Sequence, residues 1–109
     1  MTPRRVLFLC SRHRLRSPTA AAVFAGRPGL EVDSAGLADD ADTVLDAEQL
    51  DWADLVVVME AHHARRLRQR FGRRLKGKRV VSVDIPDDYD FMQPELVALL
   101  ERRVGPLLR

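Results

Sequence analysis

The 109-residue chain holds one cysteine, Cys10, directly after the apolar run Val6-Leu7-Phe8-Leu9. Six positions later stands Arg16, followed by Ser17, Pro18 and an alanine-rich stretch. An ionised thiol is a nucleophile, and a guanidinium can grip two phosphate oxygens at once. The Cys-x5-Arg spacing alone is weak evidence in a chain with 16 arginines. Its setting strengthens it: strand, five-residue loop, arginine, helix start. A loop that curls from a strand end into a helix N-terminus turns successive backbone N–H groups inward. Those donors and the positive helix end make a cradle for an anion. The same field would hold a cysteine at its base as the thiolate. Ser17 could donate to that thiolate and cap the helix at once. Such a set could attack phosphorus through sulfur, form a cysteinyl-phosphate and hydrolyse it.

The elements that must position these residues follow from periodicity. Val6 to Leu9 is a continuous apolar run, which predicts a strand buried on both faces. Ser17-Pro18-Thr19 opens a helix that ends near Gly26. Leu30 to Ser34 is a second strand, closed by Ala35-Gly36, and a short helix follows over Asp46 to Trp52. Asp54 to Met59 is the third strand. Glu60 to Phe71 is a basic helix stopped by Gly72. Lys78 to Ile85 is the fourth strand. Pro94 starts the last helix, with Leu96, Leu99, Leu100 and Val104 on one face. Strands alternating with helices predict a single three-layer α/β/α domain around a four-stranded parallel sheet, with right-handed crossovers. Ligands of such sheets sit beyond the carboxyl ends of the strands. That rule selects Cys10 to Ser17, Ala35-Gly36, Met59-Glu60 and Pro86 to Tyr89.

Composition narrows the classes. Hydrophobic residues make up 46% and charged residues 31%, which fits an ordinary globular protein and not a disordered one. No apolar run approaches the length of a membrane span, and Val6 to Leu9 is too short for a secretory signal. One cysteine excludes a disulfide framework and a cysteine-based zinc cluster, and fits a reducing cytoplasm. No metal and no organic cofactor is expected. The net charge of +2 hides blocks of opposite sign. Residues 1–28 hold six arginines and no acid, residues 31–60 ten acids and no Lys or Arg, and residues 61–79 nine bases and no acid. A small anionic ligand is a better reading of that pattern than a membrane.

With these residues in place, the sequence resembles the low-molecular-weight protein tyrosine phosphatase family. Val6-Leu7-Phe8-Leu9-Cys10 and Arg16-Ser17-Pro18-Thr19-Ala20 look like its phosphate loop. Asp33-Ser34-Ala35-Gly36 looks like its second-strand motif, and Val57-Val58-Met59-Glu60 like the end of its third strand. Asp84-Ile85-Pro86-Asp87-Asp88-Tyr89 looks like its late acidic segment. The resemblance implies strand order 2-1-3-4 and hydrolysis of a phosphomonoester, with a phosphotyrosine protein as the family substrate. It implies Cys10 as nucleophile. The backbone amides of Ser11, Arg12, His13, Arg14, Leu15 and Arg16, with the Arg16 guanidinium, would bind phosphate and stabilise the transition state. Ser17 would tune the thiolate and Ser34 brace the loop. Asp87 would be the general acid and then the base, and Tyr89 an aromatic wall.

The departures from the family pattern are specific. Arg12 and His13 stand where members usually have Gly and Asn, and histidine tolerates a left-handed backbone better than most residues. Leu15 replaces a second cysteine, so Cys10 has no intramolecular thiol to protect it. Asp88 replaces a proline, and the chain is shorter than typical members. Asp84 and Asp88 stay open as alternatives to Asp87. Arg12 and Arg14 are either surface charges or a widened positive mouth favouring substrates with more than one phosphate. His13 reads as structural, and His62 and His63, adjacent on a helix, as poor metal ligands. The stretch Arg65 to Arg79 reads first as a solvated face, then as a contact for nucleic acid or an acidic protein. Three other functions stay open: a weakly or non-catalytic module that binds phosphate or an anionic partner, a nucleic-acid-binding module, and an arsenate reductase drawing on an external thiol. Small phosphoesters, including nucleotides or RNA ends, are further candidate substrates. Oligomeric state is not legible.

Overall fold

A computed structural model describes residues 3–108. The strands are β1 (Arg4–Cys10), β2 (Leu30–Gly36), β3 (Leu55–Val58) and β4 (Arg79–Ser82). The helices are α1 (Arg16–Phe24), α2 (Ala47–Trp52), α3 (Ala61–Phe71) and α4 (Pro94–Val104). All strand pairs are parallel, and the order is β2-β1-β3-β4, as the resemblance implied. The order puts β1 in the centre, and Val6, Leu7, Phe8 and Leu9 are completely buried.

Alternation along β1 and β3 divides the core into two layers. Val6, Phe8, Leu55 and Val57 face α1 and α4, where Ala20, Phe24, Leu96 and Leu100 complete the packing. Phe8 and Phe24 stack with ring centres 5.8 Å apart. Leu7, Leu9, Val56 and Val58 face the other way, onto Leu50, Ala64 and Leu67 of α2 and α3. The continuous apolar runs of β1 and β3 are thus the sequence form of a sheet covered on both faces. Trp52 packs at the edge of the second layer, with the Arg5 guanidinium over its ring.

Several boundaries differ in detail from expectation. Ser17 lies inside α1 and does not cap it; the cap position is Leu15, with no side-chain cap bond. Its hydroxyl is spent in the interior, as described below. α3 ends at Phe71 with Gly72 at its C-cap, as expected, but Gly72 keeps a right-handed conformation and the chain tightens into a 3₁₀ turn over Gly72–Leu75. The reversal comes at Gly77, with φ +79°. β4 ends at Ser82, short of Ile85, because Asp84 adopts φ +55° and breaks the extended run. Val83 and Ile85 still donate to the carbonyls of Val58 and Met59, which carries the next segment toward the end of β3.

Part of the acidic segment 31–60 meets the basic segment 61–79 within the molecule. Arg74 pairs with Asp51 at 2.8 Å, Arg70 donates to the Leu37 carbonyl and Lys78 to that of Ala53. Part of the positive stretch therefore closes the α2–α3 layer.

Gly36, paired with Cys10 in register, is where β2 meets the loop after β1. A Cβ there would lie 2.6 Å from both the Ser11 carbonyl oxygen and the Ala41 Cβ, and 3.0 Å from the Arg12 carbonyl carbon. Two of those atoms are backbone and cannot swing aside. Gly36→Ala should therefore cost about 1–3 kcal/mol, read as a lower urea midpoint with an unchanged slope. It should also weaken binding of inorganic phosphate, read by calorimetry. Wild-type stability in that variant would contradict the close approach.

Candidate active site

The loop from Ser11 to Leu15 is held by its carbonyls. Leu37 N–H donates to the Cys10 carbonyl at 3.0 Å, Ala38 N–H to Ser11 at 2.8 Å and Asp42 N–H to Arg12 at 3.0 Å. The Leu15 carbonyl accepts from both the N–H and the hydroxyl of Thr19. With carbonyls committed outward, the N–H groups of residues 11–15 have no partner among the described residues. Unpaired backbone donors at a cavity wall suit an anion. A cavity of about 280 Å³ opens there, lined by Cys10, Ser11, Arg12, Arg14, Leu15, Arg16 and Asp87.

The loop needs one left-handed residue, and it is His13, at φ +57°. This turns the imidazole away from the cavity, and its Nε2 lies 2.6 Å from the Ser34 hydroxyl. Ser34 thus contacts the loop through the residue that departs from the family pattern. Burial lowers the His13 pKa, opposed by the nearby Asp42 and Asp33 carboxylates.

Cys10 is buried, with its Sγ 3.0 Å from the Ser17 hydroxyl. That hydroxyl also donates to the Ala35 carbonyl at 3.3 Å. Ser17 has one proton to give. Opposite a thiol it can give it to Ala35; opposite a thiolate it can turn it to sulfur.

Arg16 is only 4% exposed. Its Nη1 is engaged by Glu60 Oε1 and by the Ile85 carbonyl at 2.8 Å. This leaves the Nε–Nη2 edge for a bidentate acceptor, and Asp87 Oδ1 stands 3.7 Å from Nε. Hydrogen bonding from Arg16 holds the Glu60 carboxyl below its usual range, against some desolvation.

Asp87 is the acid that borders this cavity. Asp84 accepts from the Ser82 hydroxyl and faces the surface beyond β4, and Asp88 is exposed. The segment carrying Asp87 is tied at both ends. Ile85 binds Arg16 and Met59, and the Met92 N–H donates to the Thr19 hydroxyl at 3.0 Å. Tyr89 packs, partly buried, against the α1–α4 side of the core and is not among the residues lining this cavity.

Sequence reasoning missed His63. It is 1% exposed, and its Nδ1 accepts from the Glu60 N–H at 3.0 Å. The other nitrogen, Nε2, therefore carries the proton and donates to the Ser11 hydroxyl at 3.0 Å. Glu60 and His63 form a capping box on α3, and the Glu-x-x-His spacing before a helix was the available signal. A carboxylate stands beside the two histidines: ligand atoms of Glu60, His62 and His63 lie within 4.8 Å of one another. Both nitrogens of His63 are already committed, however, and Glu60 is paired with Arg16, so the trio is a poor metal site.

No protein-family model and no curated protein matches the chain by sequence. Solved structures do match it. The YwlE arginine phosphatase from Geobacillus stearothermophilus is 26% identical, with a TM-score of 0.77, over 96% of this chain and 93% of that one. The low-molecular-weight protein tyrosine phosphatase from T. tengcongensis is 22% identical, with a TM-score of 0.74, over 94% and 99%. The tyrosine phosphatase Wzb from Escherichia coli, solved with phosphate, is 18% identical, with a TM-score of 0.78, over 98% and 97%. The fold is that of the low-molecular-weight phosphatases across nearly the whole chain, and the resemblance read from the sequence holds at that level.

His63 also yields a test. Burial is the main reason its pKa falls from 6.5 to about 4, and neighbouring positive charges on His62 and Arg16 add to it. Above pH 6.5 both folded and unfolded chains keep it neutral. Below that the unfolded chain takes the proton first, so stability falls as pH drops from 6.5 toward 4. The full loss is about 3 kcal/mol. Urea unfolding at several pH values should show this decline, and His63→Gln should flatten it. Parallel curves for the two proteins would refute the assignment.

Proposed function

We propose that the chain acts as one domain that hydrolyses phosphomonoesters through a cysteinyl-phosphate. The observation that carries this is the convergence on one cavity of a buried thiol, a loop of unpartnered N–H groups and a buried guanidinium with an open edge. Phosphate would lie on the N–H groups of residues 11–16 with two oxygens on the Nε–Nη2 edge of Arg16. The Cys10 thiolate, stabilised by the Ser17 hydroxyl, attacks phosphorus, and the P–O bond to the leaving group breaks. Asp87 in its acid form gives its proton to the leaving oxygen. As carboxylate it then takes a proton from the water that attacks the cysteinyl-phosphate. Inorganic phosphate leaves and the thiolate is restored. The cradle holds its donors in place before charge develops, which is the main source of transition-state stabilisation in such sites.

Ser34 braces the loop through His13, and Glu60 orients Arg16. Support for a phosphatase comes also from the proteins sharing the fold, which are an arginine phosphatase and tyrosine phosphatases. Phosphotyrosine protein is the family-based substrate, and small phosphoesters share the same chemistry. A bacterial cytoplasm fits a lone catalytic thiol and the bacterial origin of Wzb. No helix among the described residues is long and apolar enough to cross a membrane. Arsenate reduction is less well supported, since Cys10 is the only thiol in the sequence.

Turnover of phenyl phosphate and nitrophenyl phosphate tests the mechanism. Cys10→Ser should abolish turnover of both. Asp87→Asn should lower phenyl phosphate turnover by about 100-fold or more, the usual weight of a general acid. It should lower nitrophenyl phosphate turnover much less, because nitrophenolate leaves without a proton. Activity surviving in Cys10→Ser would overturn the reading, and equal losses on both esters would remove Asp87 from the acid role.

A further inference from the structure

We propose that Arg12 and Arg14 form a second anion subsite at the mouth of the cavity, selecting phosphomonoesters whose leaving group carries its own negative charge. The inference rests on the phosphatase reading and concerns the part of the substrate that departs. Depth within the cavity sets the argument. Cys10 and Arg16 are buried, whereas the side chains of Arg12, Arg14 and Asp87 are 60%, 52% and 63% exposed. An acid that protonates the leaving oxygen must lie beside the leaving group. Arg12 and Arg14, at the same shallow level, therefore meet the leaving group and not the scissile phosphate.

Both arginines are restrained but not consumed. Arg12 Nη2 lies 3.9 Å from Asp40, and Arg14 Nε lies 3.4 Å from Asp42. Exposed pairs at such distances are weak and are easily exchanged for a better acceptor. Asp40 and Asp42 belong to the connection that also grips the loop carbonyls, so they hold the two guanidinium groups near the cavity. The Nη1 and Nη2 atoms of Arg14 have no partner among the described residues. No aromatic residue is among those described as lining the cavity. Besides Cys10, Ser11 and Arg16, its walls offer a leaving group one aliphatic side chain, Leu15, one carboxylate and two guanidinium groups.

The same charges disfavour a different leaving group. Cleavage of a phosphorylated arginine breaks a P–N bond, and the departing guanidine takes a proton to become a cation. Arg12 and Arg14 would repel it at close range. The fold shared with an arginine phosphatase therefore does not carry that substrate preference into this mouth.

The test compares ligands within each protein, so a general loss of binding cancels. Affinities of inorganic phosphate and diphosphate are measured by calorimetry, without divalent metal, for wild type and for Arg12→Gln/Arg14→Gln. In parallel, kcat/KM is measured for phenyl phosphate, 4-carboxyphenyl phosphate, phosphoarginine and two phosphotyrosyl peptides with neutral or acidic neighbours. Wild type should prefer diphosphate over phosphate by about tenfold at low salt, with the preference shrinking as salt rises. The double variant should lose most of that preference and gain relative activity on phosphoarginine. A preference seen with diphosphate and the carboxylated ester places the second anion on a small molecule. One seen with the acidic peptide places it on a neighbouring residue. Both outcomes support the subsite. Ratios that are the same in wild type and variant overturn it. If wild type turns over none of the esters, the phosphatase reading fails, while the two affinities still decide whether the mouth binds a second anion.

Discussion

The outward pull on three carbonyls is the constraint on which this molecule depends. The N–H groups of Leu37, Ala38 and Asp42 take the carbonyls of Cys10, Ser11 and Arg12. A peptide unit cannot present both its dipole ends to one side, so fixing the oxygens on the far side aims the N–H groups into the cavity. The inward-facing N–H donors of the cavity follow from that one commitment. Gly36 permits the approach, since any side chain there would collide with the Ser11 carbonyl. His13 supplies the left-handed turn that lets the loop close, and its contact with Ser34 returns the strain to β2.

The guanidinium is controlled from the opposite side. Glu60 and the Ile85 carbonyl occupy Nη1 of Arg16, which fixes the plane of the group and leaves the other edge open. Glu60 is itself placed by its capping exchange with His63, whose second nitrogen reaches Ser11. One turn at the start of α3 thus holds both the arginine and the first residue of the loop. The segment from Ile85 to Met92 closes the third side through Arg16 and Thr19. The ends of three parallel strands meet here, as the geometry of open α/β sheets requires.

How much of this the sequence disclosed depended on whether a signal was local. Strands β1 and β3 were legible because burial on both faces leaves continuous apolar runs, and α4 because Leu96, Leu99, Leu100 and Val104 repeat at helical spacing. The Cys10–Arg16 loop was legible because strand, loop and helix start are contiguous. Ser17 was misread as a cap because serine before proline has that meaning locally, whereas its contact with Cys10 was expected from the loop. β4 was overextended because Asp84 looks unremarkable until its positive φ is seen. His63 was passed over because its two bonds, to Glu60 and Ser11, join segments 52 residues apart at their farthest. Tyr89 was assigned to the cavity by resemblance, and its partial packing against the α1–α4 core has no local signal in the sequence.

The anion grip proposed here is main chain, apart from Arg16, and that divides labour within five residues. The side chains at 12, 14 and 15 reach the mouth while their peptide groups line the floor. Replacing one of those side chains alters what the cavity admits without redrawing the donors that would hold phosphate. The loop is therefore a fixed reaction vessel with an interchangeable rim. New substrate preferences are open to it through single substitutions at the rim, a freedom that a cradle built from side chains would lack.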